Sequence, residues 1–276
     1  RKSCPSALTR LQLQPSNPRV GSDSVKAATV RCGGFFYGWC KYMASTDSAS
    51  KNSGSLGIAD PRLAPLLGID SQLPPVPIAA QTPQALRHRF ADGRDWVPEA
   101  MEEKRFTTRA PSDAAVLVPI VMREQPTVLL TVRSAKLSTH SGQVAFPGGK
   151  RDPQDLSAEA TALREANEEV GLQAKNVEVL GRLPIYVTGT AFNITPVVAL
   201  VHPQPAYFPN PGEVADLFEV PLSFLLNPAH HERRGMLWQG VERQWFAMPY
   251  QDGEQQRYIW GATAGMLRNF YRFLSA

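Results

Sequence analysis

The run Ser157–Leu172 (SAEATALREANEEVGL) constrains this chain more than any other segment. It is rich in Ala, Glu and Leu, and Gly171 stands where a helix stop belongs, so the pattern predicts a helix over Ser157–Val170. Glu165, Glu168 and Glu169 are spaced i, i+3 and i+4 and project from one face of that helix. Like charges at this spacing destabilise a bare helix by roughly 0.2–0.5 kcal/mol per pair. They also lie toward the end where the helix dipole disfavours anions. A hard divalent cation such as Mg²⁺ or Mn²⁺, which takes oxygen ligands, would compensate. Arg164, one turn before Glu168, is placed to hold a carboxylate through a two-pronged contact. The bland alternative is a solvated acidic face, which is common on helices. The Gly148-Gly149 pair ahead of the helix, the arginine before the first glutamate and the closing glycine argue against it.

Around this helix the pattern is that of a mixed α/β domain. Ala114–Met122 and Thr127–Val132 read as strands joined by a turn at Arg123–Pro126, followed by a loop from Arg133 to Lys150. Val177–Leu183, Tyr186–Val187 and Ile194–Val201 are strand-like. Val214–Leu226 mixes a short helical turn with apolar anchors. Trp245–Pro249 and Arg257–Ile259 suggest a hairpin around Asp252-Gly253. Thr263–Leu274 reads as a last amphipathic helix. Ahead of the first strand, Ala59–Pro77 is Pro- and Leu-rich and reads as extended. Pro83–Phe90 and Trp96–Lys104 read as short helices. Strands before and after a central helix predict an α/β sandwich on a mixed sheet. The expected division is 1–57, disordered or non-native, with Met43 as the true start; 58–110, an N-terminal helical extension; and 111–276, the main domain.

Composition narrows the function classes. Residues 1–60 carry eight Lys/Arg against three Asp, whereas the remainder carries 21 against 22, so the net charge of +4 belongs to the front segment. A basic stripe on the folded part, expected of a nucleic-acid binder, is missing. No stretch approaches the roughly 18 apolar residues that span a bilayer. All three cysteines (Cys4, Cys32, Cys40) precede residue 41. A disulfide scaffold is therefore not expected, and a reducing cytoplasm is the simplest setting.

The segment Gly149…Asp155…Arg164-Glu165-Ala166-Asn167-Glu168-Glu169-Val170-Gly171-Leu172 resembles the Nudix box, G-x5-E-x7-R-E-U-x-E-E-x-G-U, with U a bulky apolar residue. Gly149, Arg164, Glu165, Glu168, Glu169, Gly171 and Leu172 match. Three positions depart: Asp155 stands at the first glutamate, eight residues rather than seven separate it from Arg164, and Ala166 fills the first U. Leu129-Leu130-Thr131-Val132-Arg133-Ser134 and Gly142-Gln143-Val144-Ala145-Phe146-Pro147-Gly148-Gly149 are similar to the signature that precedes the box in coenzyme A pyrophosphatases. That subfamily often carries the G-G-K-x-D-x-x-D form seen here. It usually has Arg where Ser138 stands, a role open to Lys136 or His140.

The resemblance implies a Nudix α/β/α sandwich and metal-dependent hydrolysis of a diphosphate. Its substrate would be coenzyme A or acyl-coenzyme A, cleaved to 4′-phosphopantetheine and adenosine 3′,5′-bisphosphate. Glu165 and Glu169, with Glu168 third and the Gly149 carbonyl, would ligate Mg²⁺ or Mn²⁺. Arg164 would orient carboxylates, and Arg133 and Lys150 would contact substrate. Glu213 or Glu168 would be the general base; Glu213 follows the stiff run Pro209-Asn210-Pro211-Gly212, and its other reading is a carboxylate at a helix start. Hydrolysis of ADP-ribose or another nucleoside diphosphate derivative, and a non-catalytic binding role, stay open, as does a homodimer. Trp238, Trp245 and Trp260 are candidates for stacking on a base, although large aromatics are usually core. His230-His231 is not expected to chelate jointly, because adjacent side chains diverge.

Overall fold

A computed structural model describes residues 60–100, 102–136, 140–238 and 240–276. Residues 1–57, the proposed start at Met43 and Ser138 lie outside the described residues. In chain order the elements are β1 (Leu66–Ile69), α1 (Pro83–Ala91), β2 (Ser112–Val121), β3 (Thr127–Arg133), β4 (Val144–Ala145) and β5 (Gly148–Lys150). Then come α2 (Ala158–Val170), β6 (Val177–Arg182), β7 (Tyr186–Val187), β8 (Phe192–Val201) and β9 (Val214–Pro221). The chain continues through α3 (Leu222–Leu225), β10 (Glu232–Trp238), β11 (Val241–Asp252), β12 (Gln255–Trp260) and α4 (Gly261–Ser275).

The first sheet runs β4-β3-β2-β8-β6, with β5 on β2, β7 on β8 and β9 on β3. It is mixed: β2 and β8 pair in parallel from Ser112↔Phe192 to Val121↔Val201, and the other pairs are antiparallel. A near-continuous apolar run such as Val197–Val201 has a physical reason here, since a central strand is covered on both faces. Val197, Ala199 and Val201 meet Ala162, Ala166 and Val170 of α2, while Val198 and Leu200 join Met266, Leu267 and Phe270 of α4 on the opposite face. The result is a helix–sheet–helix sandwich. The second face is also covered by a smaller antiparallel sheet, β1-β10-β11-β12, through Phe246, Met248 and Ile259.

Several expectations change. The described residues of Trp96–Lys104 form no helix, and Glu102 bridges Val187 of β7. Within 58–110 the α-helical part is α1, and β1 pairs with β10. The Arg133–Lys150 loop contains two short strands. Val214–Leu226 is chiefly strand, so Glu213 precedes β9 and caps no helix. The strand β10, and with it the second sheet, was not anticipated. Among the described residues no helix is long and apolar enough to cross a membrane.

Buried charge ties the N-terminal segment to this second layer. Arg268, 1% exposed, donates to Glu99 Oε2 at 2.7 Å, pairs with Asp70 at 3.0 Å and meets His231 Nδ1 at 3.1 Å. His231 is fully buried, and its other ring nitrogen lies 2.8 Å from the Leu225 carbonyl. Burial holds the imidazole down at about 4, against its ordinary 6.5. His230 instead stacks on Phe224, with centroids 4.1 Å apart, so the two histidines diverge as expected.

Candidate active site

The site begins where β2 and β3 part. They pair only at Ile120↔Val128 and Val121↔Thr127. Beyond that point β2 takes β5 as its partner, from Ala114↔Lys150 to Val116↔Gly148, while β3 takes β4. The sheet splits, and Gly148-Gly149-Lys150 lies in the split against α2. A β-carbon at Gly148 would sit 2.5 Å from the Ala115 carbonyl oxygen, and one at Gly149 would sit 2.5 Å from a carboxyl oxygen of Glu165. Both glycines are needed because backbone and a carboxylate approach where a side chain would stand.

The helix α2 is set by its ends and its buried stripe. Ser157 Oγ accepts from Ala160 N at 3.2 Å, and Gly171 closes the helix with φ 70°. Ala162, Ala166 and Val170 pack on the sheet, which turns the adjacent row, Glu165 and Glu169, toward β5. Glu169 is 4% exposed, and its Oε2 accepts from Gly148 N at 3.1 Å. Burial lifts its carboxyl to about 7; the Gly148 bond and Arg133 oppose the rise, and the charges of Glu165 and Glu213 add to it. Burial likewise raises Glu165, against the pull of Arg164, with Glu168 and Glu213 adding to the rise.

Arg164 organises the outer side. It donates through Nε and Nη2 to Asp155, at 3.1 and 2.9 Å, and through Nη2 to the Lys150 carbonyl at 3.2 Å. It also pairs with Glu165 and Glu168, each at 3.0 Å. Asp155 is buried, and the Arg164 guanidinium holds its carboxyl well below the usual range. The shorter acid on the longer connection therefore anchors the arginine to the loop between β5 and α2.

Glu213 arrives from a distant stretch. Phe208 N donates to the Val170 carbonyl at 3.0 Å and Asn210 N to the Glu169 carbonyl at 2.8 Å, so its loop hangs on the C-terminal end of α2. Ser134 N, at the end of β3, donates to the Glu213 carbonyl at 2.8 Å. Arg133 belongs to the same strand end, and its Nε is buried without a hydrogen-bond partner. Lys150 is exposed at the mouth. His140 is an exposed residue bonded to Gln143.

These residues offer hard oxygen donors crowded enough to raise one another's pKa, a donor set that suits Mg²⁺ or Mn²⁺. As placed, Glu165 and Glu168 turn to Arg164, and among the described residues no three His, Cys, Asp or Glu side chains close into an ion-holding group. Glu169 and the glycine cradle filled by Glu165 are the features that fit a cation.

Gly149, Lys150 and Arg133 also line a cavity of about 1230 Å³ that reaches the second sheet. Its far wall includes Trp238, Trp245, Trp260, Tyr258 and Arg243. Trp245 and Trp260 meet edge to face at 5.8 Å. Arg243 carries only a weak signal in the sequence, the pattern Arg243-x-Trp245, in which alternate residues of β11 share a side.

A split mixed sheet between helices, with an acidic helix set against a double glycine, defines the class: an α/β/α sandwich of the Nudix type. The NUDIX domain family profile matches residues 111–238. NudL of Yersinia pestis (strain Pestoides F), described as an uncharacterized Nudix hydrolase, is 41% identical over 162 residues, 59% of this chain and 79% of that protein. Among solved structures, the Nudix hydrolase RenU from M. smegmatis is 29% identical, covering 47% of this chain and 81% of that one, with TM-score 0.35. A C. elegans Ap4A hydrolase is 17% identical, covering 40% and 80%, with TM-score 0.35. The chain belongs to the Nudix hydrolase family and is an enzyme. Nudix hydrolases act on small nucleotide derivatives and in general work with divalent metal ions.

Proposed function

We propose that this enzyme hydrolyses the diphosphate linkage of coenzyme A or an acyl derivative, giving 4′-phosphopantetheine and adenosine 3′,5′-bisphosphate. The observation that carries the reading is the cavity. At about 1230 Å³ it exceeds the roughly 300–1,000 Å³ of common small-ligand sites. It joins the Gly149–Arg133 end to an aromatic wall and has room for a nucleotide with a long arm. Residues resembling the coenzyme A pyrophosphatase signature, Arg133, Gly142–Phe146, Gly148 and Gly149, form one side of it.

Glu165, Glu169 and the Gly149 carbonyl, with Glu168, are the groups that would hold Mg²⁺ or Mn²⁺. The ion would supply charge neutralisation at the phosphate oxygens and acidify water. Arg164, moored by Asp155, keeps Glu165 and Glu168 in position. Arg133, whose Nε is unpartnered, and Lys150 meet the diphosphate oxygens. Glu213 takes the proton from the attacking water: it reaches the electrostatic field of Glu165 and Glu169, whereas Glu168 is engaged by Arg164.

Product analysis after incubation with coenzyme A and Mn²⁺ tests the substrate. Adenosine 3′,5′-bisphosphate with 4′-phosphopantetheine supports the reading. No cleavage of coenzyme A, with turnover of ADP-ribose to AMP and ribose 5-phosphate, would replace it.

A further inference from the structure

On the second sheet, the wall of the cavity holds an arginine that no carboxylate answers among the described residues. Arg243 of β11 sits in the corner formed by two rings, its Cζ 4.7 Å from the Phe106 centroid and 4.8 Å from that of Trp238. The two rings meet edge to face at 6.0 Å. Nη1 donates to the Lys104 carbonyl at 2.8 Å, and Nε is buried without a hydrogen-bond partner. The clamp is firmly built. Phe106 N donates to the Gly189 carbonyl at 3.1 Å, and the Glu103 carboxylate accepts from Gly189 N at 2.9 Å and from the Tyr186 hydroxyl at 3.1 Å.

Two other arginines of this cavity are answered. Arg257 pairs with Asp216 at 2.6 Å and Asp252 at 2.9 Å, and Arg62 pairs with Asp60 at 2.9 Å. Arg243 has no carboxylate within ion-pairing distance among the described residues, and Lys104, on the clamp itself, is exposed and likewise unpaired. Partial burial of a cation without a counter-ion is unfavourable unless something else answers it. The aromatic faces do so in part. They also hold the guanidinium in place at the cavity wall, where its charge attracts a phosphate. The diphosphate end of the cavity, at Gly149 and Arg133, is on the other sheet.

We infer that Arg243, clamped by Phe106 and Trp238 and assisted by Lys104, is a specificity-determining residue that binds a second phosphate of the substrate, a phosphomonoester separate from the diphosphate that is cleaved. This rests on the proposed function for the substrate's identity, where the group is the 3′-phosphate of the adenosine half. The placement of the cation itself does not depend on it.

Two measurements test the assignment. The first is calorimetric binding of adenosine 3′,5′-bisphosphate and of AMP in chelator, with wild type, Arg243→Gln and Arg243→Lys, each checked by thermal melt. Wild type should prefer the bisphosphate by about tenfold or more, as expected for a charge-assisted contact. Arg243→Gln should lose that preference, and Arg243→Lys should keep part of it. The second is steady-state kinetics on coenzyme A and 3′-dephospho-coenzyme A. Arg243→Gln should raise KM for coenzyme A by about tenfold, with KM for the dephospho form rising less than about threefold. A wild type that does not distinguish bisphosphate from AMP, or a variant that weakens both ligands equally, overturns the role of Arg243. Absence of coenzyme A hydrolysis overturns the substrate reading instead, and the binding measurement still decides the phosphate site.

Discussion

Glu169→Gln should make the metal-free enzyme more stable at mildly alkaline pH while stopping turnover. The carboxyl of Glu169 is raised from 4.5 to about 7, chiefly by burial. A carboxyl whose folded pKa is raised binds its proton more tightly in the folded state. The ionisation penalty is therefore absent below pH 4.5, grows through the window from 4.5 to about 7, and is fully present above it. At 1.36 kcal/mol per pKa unit it amounts to about 3 kcal/mol. Gln keeps the volume and the acceptor for Gly148 N but places an amide N–H₂ where a carboxylate oxygen was, which costs about 1 kcal/mol. The net gain at about pH 8 is roughly 2 kcal/mol, or roughly 4–8 °C in Tm for a domain of this size. Thermal melts in EDTA at about pH 8 and about pH 4 measure it, and the gain should vanish at the lower pH. Excess Mg²⁺ should raise the Tm of wild type but not of the variant, because only an intact site binds the ion to the folded state. A variant no more stable than wild type at alkaline pH, or one whose advantage does not change with pH, would refute the claim that Glu169 is held as an uncompensated buried acid.

Gly149→Ala should displace the Glu165 carboxyl, which lies 2.5 Å from the new methyl, and lower Mn²⁺ affinity by about tenfold or more, read by calorimetry. Glu213→Gln should lower kcat by about 10²–10⁴-fold while leaving metal affinity nearly intact. Because a strand and not a helix follows Glu213, this change should not carry the stability loss of a missing helix cap; near-normal turnover would move the base to Glu168. His231, held down at about 4 against 6.5, must stay neutral in the fold, so stability should fall by about 3 kcal/mol as pH drops from 6.5 to about 4. Urea titrations should show that slope in wild type and a shallower one in His231→Gln.

Features that rest on near neighbours are legible in the sequence. The Ser157 cap, the buried Ala162–Ala166–Val170 stripe and the left-handed Gly171 are separated by a few residues, so their periodicity specifies α2 and the direction in which its glutamates point. The Nudix box is legible for the same reason: its chemistry is carried by one helix and the turn before it. Apolar runs such as Val197–Val201 likewise announce buried strands. Trp96–Lys104 shows the limit, because a helix-compatible pattern gives way to bonds with Val187 and Gly189 that lie more than eighty residues ahead. Tertiary structure alone decided how β2 and β3 part to admit Gly148–Lys150, that β10 completes a second sheet, and that Asp155 reaches Arg164 despite its shorter side chain. It also decided that the Phe208–Glu213 loop binds the end of α2, and that Phe106, Trp238 and Arg243 meet. Each depends on pairing between segments far apart in the chain. There, hydrogen-bond register and burial against a distant partner outweigh local propensity, which spans a fraction of a kcal/mol per residue.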